Sequence, residues 1–389
     1  MLTRSKVLVA WMLLGIPPLL AEQPPEPKWR QVQIDRIDIG YGIQLADVNG
    51  DRKPDIVLAD KSTIQWYENP TWTKHIIAHD LTQRDNVCVT ARDIDGDGKC
   101  EIAVGGQWNF RESVKDGAVF YLLPPDDRTK LWTPVELHHE PSVHRMHWVR
   151  DNQGQFQLVV KPLRGRGSVN GEGPGIRVLQ YYRPTDPNQA WQMNTVCEFM
   201  HLSHNFHPVN WDADRAEELI IAGKEGVWHF DNRTGGWHAQ QLTDEFAGEV
   251  RDGQLPGGKR FIVTVEPMHG STSAIYVQAD TREDKWPRSA VLDDQLKDGH
   301  ALACGDYLGV GSDQVVVGWR AMNEPGVPGI KLFTPLDADG HEWRESIVSD
   351  GDVAVEDIKT ADLNADGKVD IVAAGRQTKN LVIFFNDRP

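Results

Sequence analysis

The sequence predicts an all-β chain, a seven-bladed β-propeller closed by an N-terminal strand. Three observations carry that expectation. Near-copies of one hairpin recur along the chain. Most copies are followed by an aromatic strand and then a Trp-led strand. The last copy lacks its Trp-led strand, and a matching segment stands near the start of the chain.

The strong copies are LADVNGDRKPDIVLAD from Leu45, ARDIDGDGKCEIAVGG from Ala91 and TADLNADGKVDIVAAG from Thr360. Each reads as a short strand, an Asp-rich turn and a second apolar strand, which is a β-hairpin. Weaker versions begin at Trp148, Val209, Val250 and Cys304. Units recur roughly every forty to sixty residues, the range of four-stranded propeller blades. The third strands (IQWYEN, AVFYLL, IRVLQYY, GVWHF, AIYVQA, IKLF, LVIFF) are aromatic or β-branched, as pleated strands prefer. Fourth strands open on Trp in six units, and the seventh stops at Asp387 without one. Trp29 to Ile34 supplies the missing strand. Pairing it beside Leu381 to Phe385 closes the ring and leaves no long exposed edge.

Composition bounds the rest. Arg4 and Lys6 precede an apolar run from Val7 to Leu20, the layout of a secretory signal peptide over residues 1–21. The propeller then spans 22–389, and the protein is expected to be secreted or periplasmic. An uncleaved N-terminal anchor is the alternative, and no later segment has the ~20 apolar residues of a membrane span. With 57 acidic against 41 basic residues the net charge is -16, which argues against nucleic acid or an anionic membrane as partner. Four scattered cysteines (Cys88, Cys100, Cys197, Cys304) match neither a disulfide scaffold nor a zinc finger. Pairing of Cys88 with Cys100 and buried free thiols both fit them.

The hairpin repeat is similar to the FG-GAP or VCBS repeat of integrin-like propellers and many exported bacterial proteins. A more specific resemblance covers most of the chain. HHEPSVHRMHWV, VVKPLRGRGSVNGEG, HLSHNFHPVNWD, AGKEGVW and DGHALACGDYLGVGSDQVVVGWR resemble the propeller domain of the aldos-2-ulose dehydratase/isomerase family. That resemblance implies dehydration of a 2-keto sugar such as 1,5-anhydrofructose, and a zinc site in the propeller. Family members carry cupin domains after the propeller. None follows here, so the isomerase half of the activity is not expected, and a separate cupin protein is a candidate partner.

Two sets of residues invite ligands. In the Asp-rich turns, oxygens at alternating positions converge, and such hard donors suit Ca²⁺ or Mg²⁺ in a structural role. The sets are Asp47, Asn49, Asp51 and Asp55; Asp93, Asp95, Asp97 and Glu101; and Asp362, Asn364, Asp366 and Asp370. Asx turns that need no ion are the competing reading. On the opposite face, first strands begin and second strands end around the channel. His144, His204 and His300 stand there at similar offsets in blades three, four and six, and three imidazoles with an open fourth position suit catalytic zinc. Hydrogen-bonding histidines wedged between blades are the alternative.

At the ends of second strands come Gln107, Lys161, Arg164, Arg166, Lys224, His269, Arg320 and Arg376, a basic rim suited to oxyanions. Trp108 and Trp319 in the same loops either stack on a sugar or belong to the core. Arg145 joins Lys161, Lys224 and Arg320 as a candidate for stabilising charge, unless it and Arg164 form inter-blade ion pairs. His269, Glu249 and Glu356 are the candidate bases. The expected chemistry is zinc-assisted β-elimination of water from a small keto-sugar, with no cofactor beyond the metals. A non-catalytic propeller that binds a glycan or a protein is the rival reading. A polysaccharide lyase with an open groove is a third, against which the insertions at 164–175 and 321–329 read as walls of a pit.

Overall fold

The computed structural model describes residues 24–388 except 213, 234, 282, 283 and 324. The expected signal peptide, 1–21, lies outside the described residues. Among the described residues, seven four-stranded antiparallel sheets form the whole of the regular structure. Blade 1 runs from Gly42 to His79, blade 2 from Cys88 to Leu137 and blade 3 from Val143 to Cys197. Blade 4 runs from Phe206 to Gln241, blade 5 from Glu249 to Asp293 and blade 6 from Gly299 to Asp350. Blade 7 combines Val355 to Asn386 with Trp29–Arg36. Among the described residues no helix is long and apolar enough to cross a membrane.

The closing strand pairs as the sequence predicts. Trp29 lies opposite Asn386 and Arg36 opposite Asn380, with one bulge near Ile34. Asp35 then ties blade 7 to blade 1, accepting from Tyr67 Oη at 2.8 Å and Lys74 Nζ at 2.9 Å. The innermost strand of each blade neighbours that of the next all the way round.

Successive side chains point to opposite faces of a strand, and the second strands of the blades are buried throughout in most cases, so each blade buries side chains against both neighbours. The core is accordingly divided into seven slabs, one per blade interface. Trp66 of blade 1 packs with Phe120 of blade 2, Tyr121 with Trp148 of blade 3, and Val159 with Phe206 of blade 4. Ile220 packs with Ile262, Val263 with Leu302, Val316 with Ile358, and Leu381 with Ile56, completing the circle. All four cysteines are free thiols, three of them buried, so no Cys88–Cys100 bridge forms.

Candidate functional site

One mouth of the channel gathers imidazoles from four consecutive blades. His144 and His300 are the second residues of the innermost strands of blades 3 and 6, and each falls at a register shift. A bulge inserts one unpaired residue and re-aims its side chain, here toward the axis. Glu356 of blade 7 occupies a third such bulge. His204 precedes the innermost strand of blade 4, where Asn205 N donates to Gly248 O at 3.0 Å. His269 follows the second strand of blade 5, swung back by Met268 at φ 49°.

The rings of His204, His269 and His300 form a triangle, with centroids 4.3, 4.9 and 4.7 Å apart. Their ligand nitrogens lie within 4.8 Å of one another. His144 packs beside His204 alone, at 4.5 Å, and under the half-buried Trp108 at 4.8 Å. The sequence predicts His144, His204 and His300 as the ligand set; the mutual triangle has His269 in place of His144.

Hydrogen bonds decide which lone pairs face the mouth. His300 Nδ1 donates to the carbonyl of Glu356 at 2.6 Å, and His204 Nδ1 to Glu249 Oε1 at 2.6 Å. Each proton is thereby held on Nδ1, and Nε2 keeps its lone pair, the arrangement of metal-binding histidines with an outer partner. His269 differs, because Arg320 donates to its Nδ1 at 3.1 Å. Arg320 must release that lone pair before the ring can hold a cation. Both nitrogens of His144 are buried without a hydrogen-bond partner. Burial holds all four imidazoles well below their usual proton affinity, reinforced by Arg145 at His144, His269 at His204, and Arg320 at His269 and His300. Neutral imidazoles are the form that binds a metal. The donor set therefore fits a divalent transition metal.

The surrounding charges are mostly committed. Arg320 makes a bidentate pair with Asp298 at 3.0 and 3.1 Å and reaches Glu356 at 2.9 Å. Arg376 takes the other Glu356 oxygen at 2.8 Å and lies over the Tyr41 ring. Glu249 gives its second oxygen to Asn205 Nδ2 at 2.6 Å. Neither glutamate thus keeps an oxygen clear for a substrate proton. Lys161 is fully buried on the carbonyls of Ser203 and Pro162, and burial pushes its amine well below the usual range. Lys224 is exposed and held by Glu172 and the Gly171 carbonyl in the 164–175 loop, outside the histidine cluster. Trp319 donates to Val327 O at 2.7 Å, under the 321–329 insertion and also away from the cluster. Neither Arg145 nor Arg164 forms an ion pair among the described residues.

Of the three Asp-rich loops, one draws its carboxylates together. Asp93, Asp95 and Glu101 fall within 4.8 Å, without Asp97, whose Oδ1 caps Lys99 N at 2.8 Å. In the first loop Asp47 accepts three amides, and Asp55 accepts Val48 N and Asn69 N at 2.9 Å. Asp362 and Asp370 do the same, with Asn364 accepting Asp366 N. These are self-satisfied Asx turns. Blade 4 brings together a set that the sequence reading missed: Asp212, Asp214 and Glu218. Its D-x-D-x-x-x-E spacing is the signal, masked by the lack of the turn glycine. Burial raises Glu101 and Glu218 to about 7. Protons and cations then compete for them below neutrality, so added Ca²⁺ is expected to raise the melting temperature at pH 8 and much less at pH 5.5. Thermal scans at the two pH values check this, and an equal shift at both would contradict it.

Known proteins match this architecture. The FG-GAP-like repeat family matches residues 47–104. Aldos-2-ulose dehydratase of Phanerodontia chrysosporium is 24% identical over 374 residues, covering 86% of this chain and 40% of that enzyme. The chain thus spans two fifths of the length of that curated relative. Among solved structures, a chain of the Mitotic Checkpoint Complex aligns at TM-score 0.56 and 13% identity over 97% of this chain and 98% of its own. The Cps50 (Swd1) β-propeller domain of Myceliophteria thermophila aligns at 0.55 and 10% identity, covering 91% of this chain and 99% of that one. These structures speak to the fold alone. The chain is a seven-bladed β-propeller carrying an FG-GAP-like repeat, with distant sequence similarity to aldos-2-ulose dehydratase.

Proposed function

We propose that this protein is an exported carbon–oxygen lyase that removes water from a small keto-sugar of the aldos-2-ulose or 1,5-anhydrofructose type, at the histidine mouth of the propeller. The observation that carries this reading is the triangle of three neutral imidazoles, in a chain 24% identical to a dehydratase. His204, His269 and His300 would hold a divalent metal, zinc by its preference for three imidazoles and an open position. Bound zinc supplies Lewis acidity toward a substrate carbonyl.

The remaining roles fall to the chain's own groups. Glu249 and the Glu356 carbonyl fix the tautomers of His204 and His300. Arg145, without a carboxylate partner, provides positive charge for the oxyanion that develops when the proton next to the ketone is removed. His144 is the proton acceptor by position, because the glutamate oxygens are committed and both its nitrogens are not; burial and Arg145 disfavour its charged form, so the proton it takes is passed on at once to the leaving oxygen. Trp108 covers the His144 ring, so substrate reaches it only when that indole swings aside. The proton next to the ketone passes to His144, the β-carbon–oxygen bond breaks, and the departing hydroxide recovers that proton as water. Structural Ca²⁺ or Mg²⁺ would occupy the two gathered carboxylate sets, Asp93, Asp95 and Glu101 and Asp212, Asp214 and Glu218.

Turnover of 1,5-anhydrofructose tests the reading. His144→Ala is expected to lower kcat by about 100-fold or more, the worth of a positioned acid–base group, while retaining bound metal. Chelation is expected to remove activity from the wild-type protein, and zinc to restore it. No turnover of any 2-keto sugar by metal-loaded protein would favour a binding propeller instead.

A further inference from the structure

Next along the innermost strands from His144 and Glu356 lies a cavity of about 20 Å³, with His147 in its lining and room for about one water-sized occupant. Arg145, Arg251 and Lys359 reach it from blades 3, 5 and 7, with Asp357 as the acidic group in its wall. Asp357 is already matched, because both its oxygens accept from Lys359 Nζ at 2.9 Å. That leaves two guanidiniums. Arg251 is 8% exposed and donates to the carbonyl of its own neighbour, Val250. Its nearest carboxylate oxygen is Glu249 Oε2 at 4.0 Å, which Asn205 occupies. Arg145 donates to the His144 carbonyl and forms no ion pair among the described residues.

Two weakly partnered guanidiniums facing one buried cavity are an anomaly in a chain of net charge -16. Removing a charge from water without a partner is costly, and a single neutral water offsets only part of that cost. The neighbours register the excess. Burial lowers the proton affinity of both Lys359 and His147, and Arg251 adds to the effect on each.

We infer that this cavity binds a small inorganic monoanion, chloride in ordinary media, coordinated by Arg145 and Arg251. The site takes neither a sugar, which is too large, nor a metal cation, which the guanidiniums repel. The anion completes the ion pairing of the inner ring and braces blades 3, 5 and 7 around the axis. This inference shares Arg145 with the lyase reading but none of His204, His269 and His300, which do not line the cavity, so the variant that tests it is made at Arg251.

The test uses the full-length protein. Crystals grown in bromide should show an anomalous peak between Arg145 and Arg251. At constant ionic strength, chloride in place of gluconate should raise the melting temperature by about 2–4 °C, the shift expected when a ligand binds only the folded state. Arg251→Gln should lose that shift, and the wild-type comparison stands alone if the variant does not fold. A water without anomalous signal in the cavity would overturn the inference. So would equal melting in both salts, which would make any bromide peak an adventitious ion only.

Discussion

Deletion of residues 24–36 is expected to leave a protein that does not fold stably on its own. The deletion strips the strand Trp29–Arg36 from Asn380–Asn386, which is buried along its whole length. Ladder bonds at about 1 kcal/mol each are lost, together with the burial of Trp29, Val32 and Ile34 against the last two interface slabs. The sum is comparable with the ~5–15 kcal/mol that holds a typical domain together. The bared edge carries Leu381, Val382, Ile383, Phe384 and Phe385 and would recruit other chains. Size-exclusion chromatography and urea unfolding read the outcome. Aggregation, or loss of the cooperative transition, is expected. A separate peptide of residues 24–36 should partly restore folding by adding the strand back. A monomer with an unchanged urea midpoint would contradict the closure.

Arg320→Met should destabilise the protein by about 3–5 kcal/mol, the cost of stranding buried charges. Arg320, Asp298 and Glu356 have side-chain exposures of 3%, 1% and 4%. Methionine fills much of the volume but leaves Asp298 without either guanidinium bond. Glu356 retains Arg376 and suffers less. Adding Asp298→Asn should recover part of the loss, because it removes the stranded charge and not the packing. Urea unfolding of the single and double variants measures both steps. A double variant no more stable than the single one would mean that packing, not charge, explains the effect.

The propeller is largely legible in the sequence because a blade is a local unit. Each hairpin, its aromatic third strand and its Trp-led fourth strand follow one another along the chain, so repetition alone counts the blades. The closing strand is legible for the same reason, since seven units contain six fourth strands. The mouth is legible only in outline. Starts of first strands and ends of second strands do converge there, which is why His144, His204, His300, His269 and Arg320 all appear.

The division of roles among them is not legible. Bulges at His144, His300 and Glu356 turn those side chains by one residue against the alternation, and nothing in the local residue types announces them. Commitment of oxygens is equally hidden. Glu249 and Glu356 look like bases until partners 44 and 36 residues away claim them. The Asp-rich loops fail in the opposite sense. The same alternation that reads as a ligand set also satisfies a tight turn through its own amides, as Asp47 and Asp362 do.

Elemental analysis of the purified protein beside His269→Ala and His144→Ala decides whether the histidine mouth holds a metal ion. About one zinc-class ion per chain is expected in the wild type and in His144→Ala, and its loss in His269→Ala. A wild type without transition metal after loading would contradict the claim, and so would a His269→Ala protein that keeps its full complement.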